Sequence, residues 1–434
     1  MPASEPPNIT FVRGDATGLA IPAHAEALRQ GAEAFLTEAF RRFGALSQSN
    51  RVARISQFAS FGGGNSGHKV LLSVEYEHAE PGLHADLFVK FSRDFDDVFR
   101  DRRRYELEAE VRFAALSRLP GFPIHVAAAY FADFHHESGT GILITQRIAF
   151  GEGNIEPLWP KCWDHELPEP VAHYRAIVST LAQLAAAHKS GALSPQVEQY
   201  LPFDPQAAAA EDPIPWDEAQ LRAVIARYAT FAVKHPQLLP AAIASPQFIA
   251  KLEQDAVRYL EQQARIKQFL HADPDYVALC HYNAHIDNAW FWREPFGRLQ
   301  CGLLDWGRVR QMNLAYALWG SLSGTSVEIW NAHLDEFLQL FIDDYRAYGG
   351  PQLDLERLKL HLDFYVASVG LCMLMDAPAL VLARLPEAAS AAGPRDPVFR
   401  KNQVALGFFH TFVMFLNLWQ THDFGASLDR LPAQ

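Results

Sequence analysis

The order of apolar patterns predicts an α+β chain in two parts: a small β-rich N-terminal lobe with one packed helix, then a larger, mostly helical C-terminal lobe. Three observations predict it. Short strand-like runs flank a glycine cluster within residues 51–150. Helix-period apolar spacing dominates from Val171 onward. Two short apolar runs, residues 277–292 and 299–306, interrupt those helices and read as a β-pair. The expected divisions are a helical segment over 1–50, the small lobe over 51–150, and the helical lobe over 151–434 with a hairpin at 277–307.

Each element has its own signal. Leu28, Ala32, Phe35, Leu36 and Phe40 recur at helical spacing over residues 25–43. Residues 52–58 read as a strand, followed by the cluster Phe61-Gly62-Gly63-Gly64-Asn65-Ser66-Gly67 and a second strand over 70–74. A third strand, 87–91, follows the Pro81-Gly82 turn, and a helix over 99–119 stops at Pro120. Strands at 126–134 and 141–148 are joined by the polar turn Ser138-Gly139-Thr140-Gly141. Gly151-Glu152-Gly153 marks the change of character. Helices are then expected at 171–189, 246–270, 326–348, 355–374 and 402–419, with an Ala/Pro/Asp-rich loop over 204–215.

Composition narrows the function classes. The chain has 434 residues, 49% of them hydrophobic, and a net charge of −12. That balance excludes a nucleic-acid partner, which needs a basic stripe. The run Arg102-Arg103-Arg104 sits among acids and reads as a solvated helix face. Cys162, Cys280, Cys301 and Cys372 are scattered without metal-ligand spacing, as free thiols in a reducing cytoplasm would be. Residues 1–15 lack the basic stretch and apolar core of a signal peptide. The most apolar later stretch, 364–375, is bounded by Asp363 and Asp376 and falls short of the roughly 20 residues of a membrane span. A cytoplasmic protein with no membrane partner is expected; nothing in the pattern speaks to oligomeric state.

The densest cluster of reactive residue types is Leu279-Cys280-His281-Tyr282-Asn283-Ala284-His285-Ile286-Asp287-Asn288, followed by Leu303-Leu304-Asp305-Trp306-Gly307. Polar groups in a loop after one strand, and an Asp at the end of its partner, converge at one end of a β-pair. Phosphoryl transfer asks for such a set: an Asn and an Asp for Mg²⁺, and a carboxylate aimed at the acceptor hydroxyl.

This segment resembles the catalytic loop of the aminoglycoside/choline-kinase-type phosphotransferases, and within them the ecdysteroid-kinase-like branch. Their loop reads His-x-Asp-x-x-x-x-Asn and precedes a strand ending in Asp; His281, Asn288 and Asp305 fall on that pattern. The resemblance covers roughly residues 32–322 and implies a bilobal protein-kinase-like fold using ATP and Mg²⁺ on a small-molecule alcohol. It implies a phosphate-covering loop at Gly62, Gly63, Gly64 and Gly67. Lys90 becomes the phosphate-binding lysine, Glu110 its helix partner, and Gln146 and Ile148 part of the adenine hinge; Asn288 and Asp305 become the metal ligands. The apolar face of Leu107, Val111, Ala114 and Ala115 puts Glu110 at the edge of the buried side, with Glu106 as its rival one turn earlier.

Two positions depart from the pattern. Asn283 stands where the family keeps its catalytic Asp, and Asn313 where a second Asp supports the loop. Asn283 cannot take a proton at neutral pH, so it can only orient a hydroxyl, and Asp287 or His285 are the alternative bases or metal ligands. The expectations are a slow kinase, a pseudokinase that binds nucleotide without transfer, or a different reaction in the same cleft. Trp319, Trp330, Phe364 and Tyr365 are candidates to line an apolar pocket for a steroid, aromatic or lipid-like alcohol. Zinc chemistry is disfavoured: His281 and His285 are four apart, but HYNAH lacks the glutamate of HExxH. No Gly-Lys-Ser/Thr follows the glycine cluster, so it is not a Walker loop.

Overall fold

Leu87, Val89 and Phe91 alternate with Phe88 and Lys90, and a strand sends alternate side chains to opposite faces. That alternation organises the first of two units into which the chain divides in the computed structural model, which describes residues 9–62 and 67–432. The first unit takes the described residues up to Ile155, with Leu193–Pro202 and Gly302–Arg310. The second takes Glu156–Ala192, Phe203–Cys301 and the described residues from Gln311 onward.

The first unit opens with a hairpin of β1 (Phe11–Arg13) and β2 (Ala20–Pro22), then α1 (Ala25–Arg29) and α2 (Ala32–Arg42). The single helix expected over 25–43 is broken at Gly31, whose φ of 77° lies outside the helical region. Next come β3 (Val52–Phe61), β4 (Lys69–Tyr76), β5 (Asp86–Phe91), α3 (Arg100–Ser117), β6 (His125–Val126), β7 (Ala129–His135) and β8 (Thr140–Gln146). Five strands pair antiparallel in the order β3-β4-β5-β8-β7. One face packs Leu143, Ala132 and Phe134 against Leu107, Val111 and Ala114 of α3. The opposite face packs Leu87, Val89, Ile142 and Ile144 with Leu28, Leu36 and Phe40 of α1 and α2. The sheet therefore carries helices on both faces, where the sequence suggested one. Residues from the first fifty share its core.

The following elements are α4 (Pro170–Lys189), α5 (Gln196–Tyr200, within the first unit), α6 (Pro205–Ala210), α7 (Glu218–Lys234), α8 (Ala241–Ala244) and α9 (Pro246–Ala272). Then come β9 (Val277–His281), β10 (Ala289–Arg293), β11 (Leu299–Leu303) and β12 (Val309–Asn313). The helices α10 (Leu314–Leu322), α11 (Val327–Ala347), α12 (Leu355–Met373), α13 (Ala377–Arg384), α14 (Gln403–His422) and α15 (Phe424–Asp429) complete the chain. The β-pair expected from 277–292 and 299–306 forms through its inner strands, β10 with β11, whereas β9 pairs instead with β12. A 3-10 turn, Ile286–Asn288, separates β9 from β10.

Every residue of α10 is buried, as befits a helix that is apolar all round. Among the described residues α14 alone is long and apolar enough by itself to cross a membrane, yet 61% of its apolar window is buried within the protein. A core helix has that pattern.

Candidate functional site

Two clusters, one in each unit, hold the sequence-singled residues. In the first unit the period of β5 places Lys90 on the α3 side of the sheet, opposite Leu143 on β8 and Lys69 on β4. Lys90 Nζ lies 2.6 Å from Glu110 Oε2 and 2.9 Å from Asp305 Oδ1. Of the two α3 glutamates, Glu110 takes the lysine, while Glu106 pairs with Arg103 at 2.9 Å. Lys90 and Glu110 are buried, whereas the Asp305 side chain is 42% exposed. Burial works against the Lys90 ammonium, but the Asp305 and Glu110 carboxylates outweigh it and hold its pKa above that of an ordinary lysine. Burial pushes the Glu110 carboxyl up, against the pull of Lys90.

Asp305 is held in a left-handed conformation, φ 59°. Its neighbour fixes it there. The Trp306 backbone N–H donates to Glu110 Oε1 at 3.2 Å, and the indole stacks on Phe113 at 3.8 Å and donates to the Leu303 carbonyl at 3.1 Å. One glutamate thus holds the lysine with one oxygen and the aspartate's turn with the other. Gly67, with φ 69°, lies so close to β5 that a Cβ would fall on the Phe91 carbonyl oxygen, next to Lys90. Gly62 has open space around it. Gly63 and Gly64 lie outside the described residues.

Gln146 and Ile148, expected at the hinge, are engaged within the unit. Gln146 N–H donates to the Ala128 carbonyl at 2.7 Å, its side-chain oxygen accepts from Ala128 N at 3.5 Å, and the Ile148 carbonyl accepts from Phe150 N at 3.1 Å. Sequence reasoning passed over Lys69. Burial lowers its pKa and the like charge of Lys90 lowers it further; its place at the strand start after the glycine cluster was the available signal.

In the second unit, fully buried β9 delivers His281, whose Nδ1 accepts from Asn283 N–H at 3.0 Å. Asn288 Nδ2 donates to the Asn283 carbonyl at 2.8 Å, and Asn288 N–H donates to the His285 carbonyl at 2.9 Å. The loop is closed on itself by its two asparagines. It is also seated on α10: a Cβ at Gly320 would fall on the Tyr282 carbonyl oxygen. Tyr365 OH donates to Tyr282 OH at 3.0 Å and stacks on Tyr316 at 3.6 Å.

The alternative bases differ. His285 is buried with Nδ1 unpartnered, and burial, then Lys161, His281 and His410, hold its pKa well below the usual value. A neutral imidazole of that kind is a weak base. Asp287 is half-buried and within electrostatic reach of Cys162, whose thiol burial pushes up to about 12 with Asp164 and Asp287 adding to the push.

Asn313 departs from its expected role of supporting the loop. Its Oδ1 accepts from Ala315 N–H at 2.9 Å, capping α10, and its Nδ2 donates to the Leu270 carbonyl at 2.6 Å and to His361 Nδ1 at 2.8 Å. A carboxylate has no hydrogen to donate, so it would lose the Leu270 bond outright and could keep His361 only as an acceptor. Trp319, Trp330, Phe364 and Tyr365, expected to line an acceptor pocket, are at most 4% exposed and fill the interior of the unit.

No family model and no curated protein matches the chain. Among solved structures it is similar to a microcompartment-associated aminopropanol kinase, at 13% identity and a TM-score of 0.42 over 85% of this chain and 93% of that one. It is similar to a spectinomycin phosphotransferase in complex with ADP and spectinomycin, at 13% identity and 0.40 over 84% and 92%. A third is a choline/ethanolamine kinase family protein from Mesorhizobium loti, at 16% identity and 0.39 over 91% and 98%. At such levels the functional reading rests on the residues themselves.

Proposed function

We propose that this chain is an ATP- and Mg²⁺-dependent phosphotransferase acting on a hydroxyl of a small molecule, with Asn283 in place of a catalytic carboxylate. The observation that carries this reading is the buried Lys90–Glu110 pair shared with the half-exposed Asp305. Burying a charged pair costs several kcal/mol of desolvation, and nucleotide phosphates are a partner that uses a lysine kept charged in this way. The Gly62–Gly67 cluster covers those phosphates, and Lys90 orients them. Asp305 and Asn288, each an oxygen donor of its own unit, are the proposed Mg²⁺ ligands, and their donor type fits a hard cation that retains water and phosphate ligands. Bound Mg²⁺ offsets phosphate charge during transfer.

Asn283 accepts the acceptor's O–H and orients it without taking the proton. General-base help is typically worth about 10²–10⁴-fold, so transfer is slow. The ecdysteroid-kinase-like branch belongs to this proposal. So does a cytoplasmic location, which the four free cysteines fit.

A second reading, nucleotide binding without transfer, is favoured by Asn283 together with the neutral, buried His285. Thermal stabilisation by Mg·ATP, and ADP release over a panel of alcohols, separate the two in wild type, Lys90→Met and Asn283→Asp. The kinase reading expects stabilisation that Lys90→Met abolishes, and ADP release that Asn283→Asp raises at least about tenfold. Stabilisation with no release in any variant supports the second reading. No nucleotide effect at all refutes both.

A further inference from the structure

The second unit contains a cavity of about 740 Å³, within the range of roughly 300–1,000 Å³ of small-molecule sites. Its apolar wall includes Leu239, Val327, Leu406, Phe409, Val413 and Met414. Asp164 and His410 also line it, as does the exposed pair Arg395–Glu328. Asp164 is 2% exposed; its Oδ1 accepts from Tyr174 OH at 3.0 Å and its Oδ2 from Ser326 N–H at 3.1 Å. His410 Nε2 bonds the Thr325 carbonyl. A carbonyl only accepts, so the proton sits on Nε2 and leaves Nδ1 a bare acceptor. Burial, with Lys161 and Arg395 assisting against the Thr325 bond, lowers His410 to about 4, so the ring is neutral near pH 7.

His410 Nδ1 is therefore an acceptor set in an apolar wall, and an occupant that pairs with it has to bring its own donor. At His410 the cations Lys161 and Arg395 are set against the single carboxylate of Glu328, which favours a neutral hydroxyl over a cationic donor. The 281–288 loop lies behind the lining and not in it. Gly324, two residues before Ser326 of the lining, packs against His285, and Asp287 acts on Cys162 in the lining.

We propose that this cavity is a binding site for an uncharged, largely apolar molecule whose hydroxyl donates to His410 Nδ1. The inference stands apart from phosphoryl transfer, because it is read as binding in the absence of nucleotide. The test titrates the full chain with 2-naphthol, 2-methoxynaphthalene and 2-naphthoate, followed by naphthalene fluorescence. The expected result is saturable one-to-one binding of 2-naphthol, with the ether about fivefold weaker for want of a donor. Val413→Trp, which fills the cavity, is expected to weaken 2-naphthol binding at least about tenfold with an unchanged far-UV circular dichroism spectrum. His410→Phe is expected to bring alcohol and ether to near-equal affinity, which keeps the test decisive should Val413→Trp fail to fold. Unsaturable binding, an ether as tight as the alcohol in wild type, or tighter binding of 2-naphthoate overturns the proposal.

Discussion

At the scale of single residues, Asn313 and Glu110 each answer to several partners at once. Asn313 is fully buried and uses both amide hydrogens and its oxygen. Asn313→Asp replaces two donors by a buried negative charge facing the Leu270 carbonyl, so unfolding free energy is expected to fall by about 2–4 kcal/mol in urea titrations. The same substitution is not expected to raise turnover. Glu110→Gln leaves Lys90 with Asp305 alone and weakens the hold on Trp306; a loss of about 3 kcal/mol is expected by the same measurement. Glu110 was legible in the sequence because helical spacing put it beside Leu107 and Ala114. The partners of Asn313 were not, since Leu270 and His361 lie more than forty residues away on either side and no local pattern names them.

Elements show the same division. Helices with a long apolar stripe were readable, within a few residues, from periodicity alone: α4, α9, α11, α12 and α14. The helix α7 was overlooked although Leu221, Val224, Ile225 and Tyr228 keep helical spacing and Asp217 with Gln220 forms a capping box. The signal was present, behind a loop rich in Ala and Pro. Pairing of β9 with β12 could not be read locally, because apolar runs do not state which strand they pair with. The helix α10 carries the element-scale prediction. Ala normally stabilises a helix interior relative to Gly by about 1 kcal/mol. At Gly320 the sign reverses, because the added Cβ meets the Tyr282 backbone. Gly320→Ala is expected to cost about 2–4 kcal/mol, measured by thermal and urea unfolding. Gly67→Ala meets the Phe91 carbonyl at a left-handed φ, and a loss of about 2 kcal/mol is expected for the first unit.

At the scale of the whole molecule, buried titratable groups set how stability follows pH. Burial depresses His285 well below its usual value, His361 to about 3 and His410 to about 4. A depressed histidine contributes stability that is present above its unfolded pKa, about 6.5, and lost as pH falls toward its folded value. Asp164, which burial raises to about 7, has the opposite sign: its contribution is complete below its unfolded pKa of about 3.9 and lost as pH rises through 7. Three proton uptakes against one release make stability fall on acidification, so urea unfolding from pH ~4.5 to ~8.5 is expected to show stability rising with pH and levelling off above about pH 7.5. Asp164→Asn removes the one opposing proton and is expected to steepen the rise between pH ~4.5 and ~6.5 from about two protons to about three. None of these burials could be judged from composition, where a histidine in a helix and one in a solvated turn look alike. The seating of the 281–288 loop on α10 has a kinetic side as well. With Tyr282 pressed on a helix buried on every face, and Asn283 N–H bonded to His281, the loop has no cheap local opening. The Asn283 and Asn288 amide hydrogens, both bonded within the loop, should exchange with solvent only when the second unit unfolds, at the pace of its innermost helix.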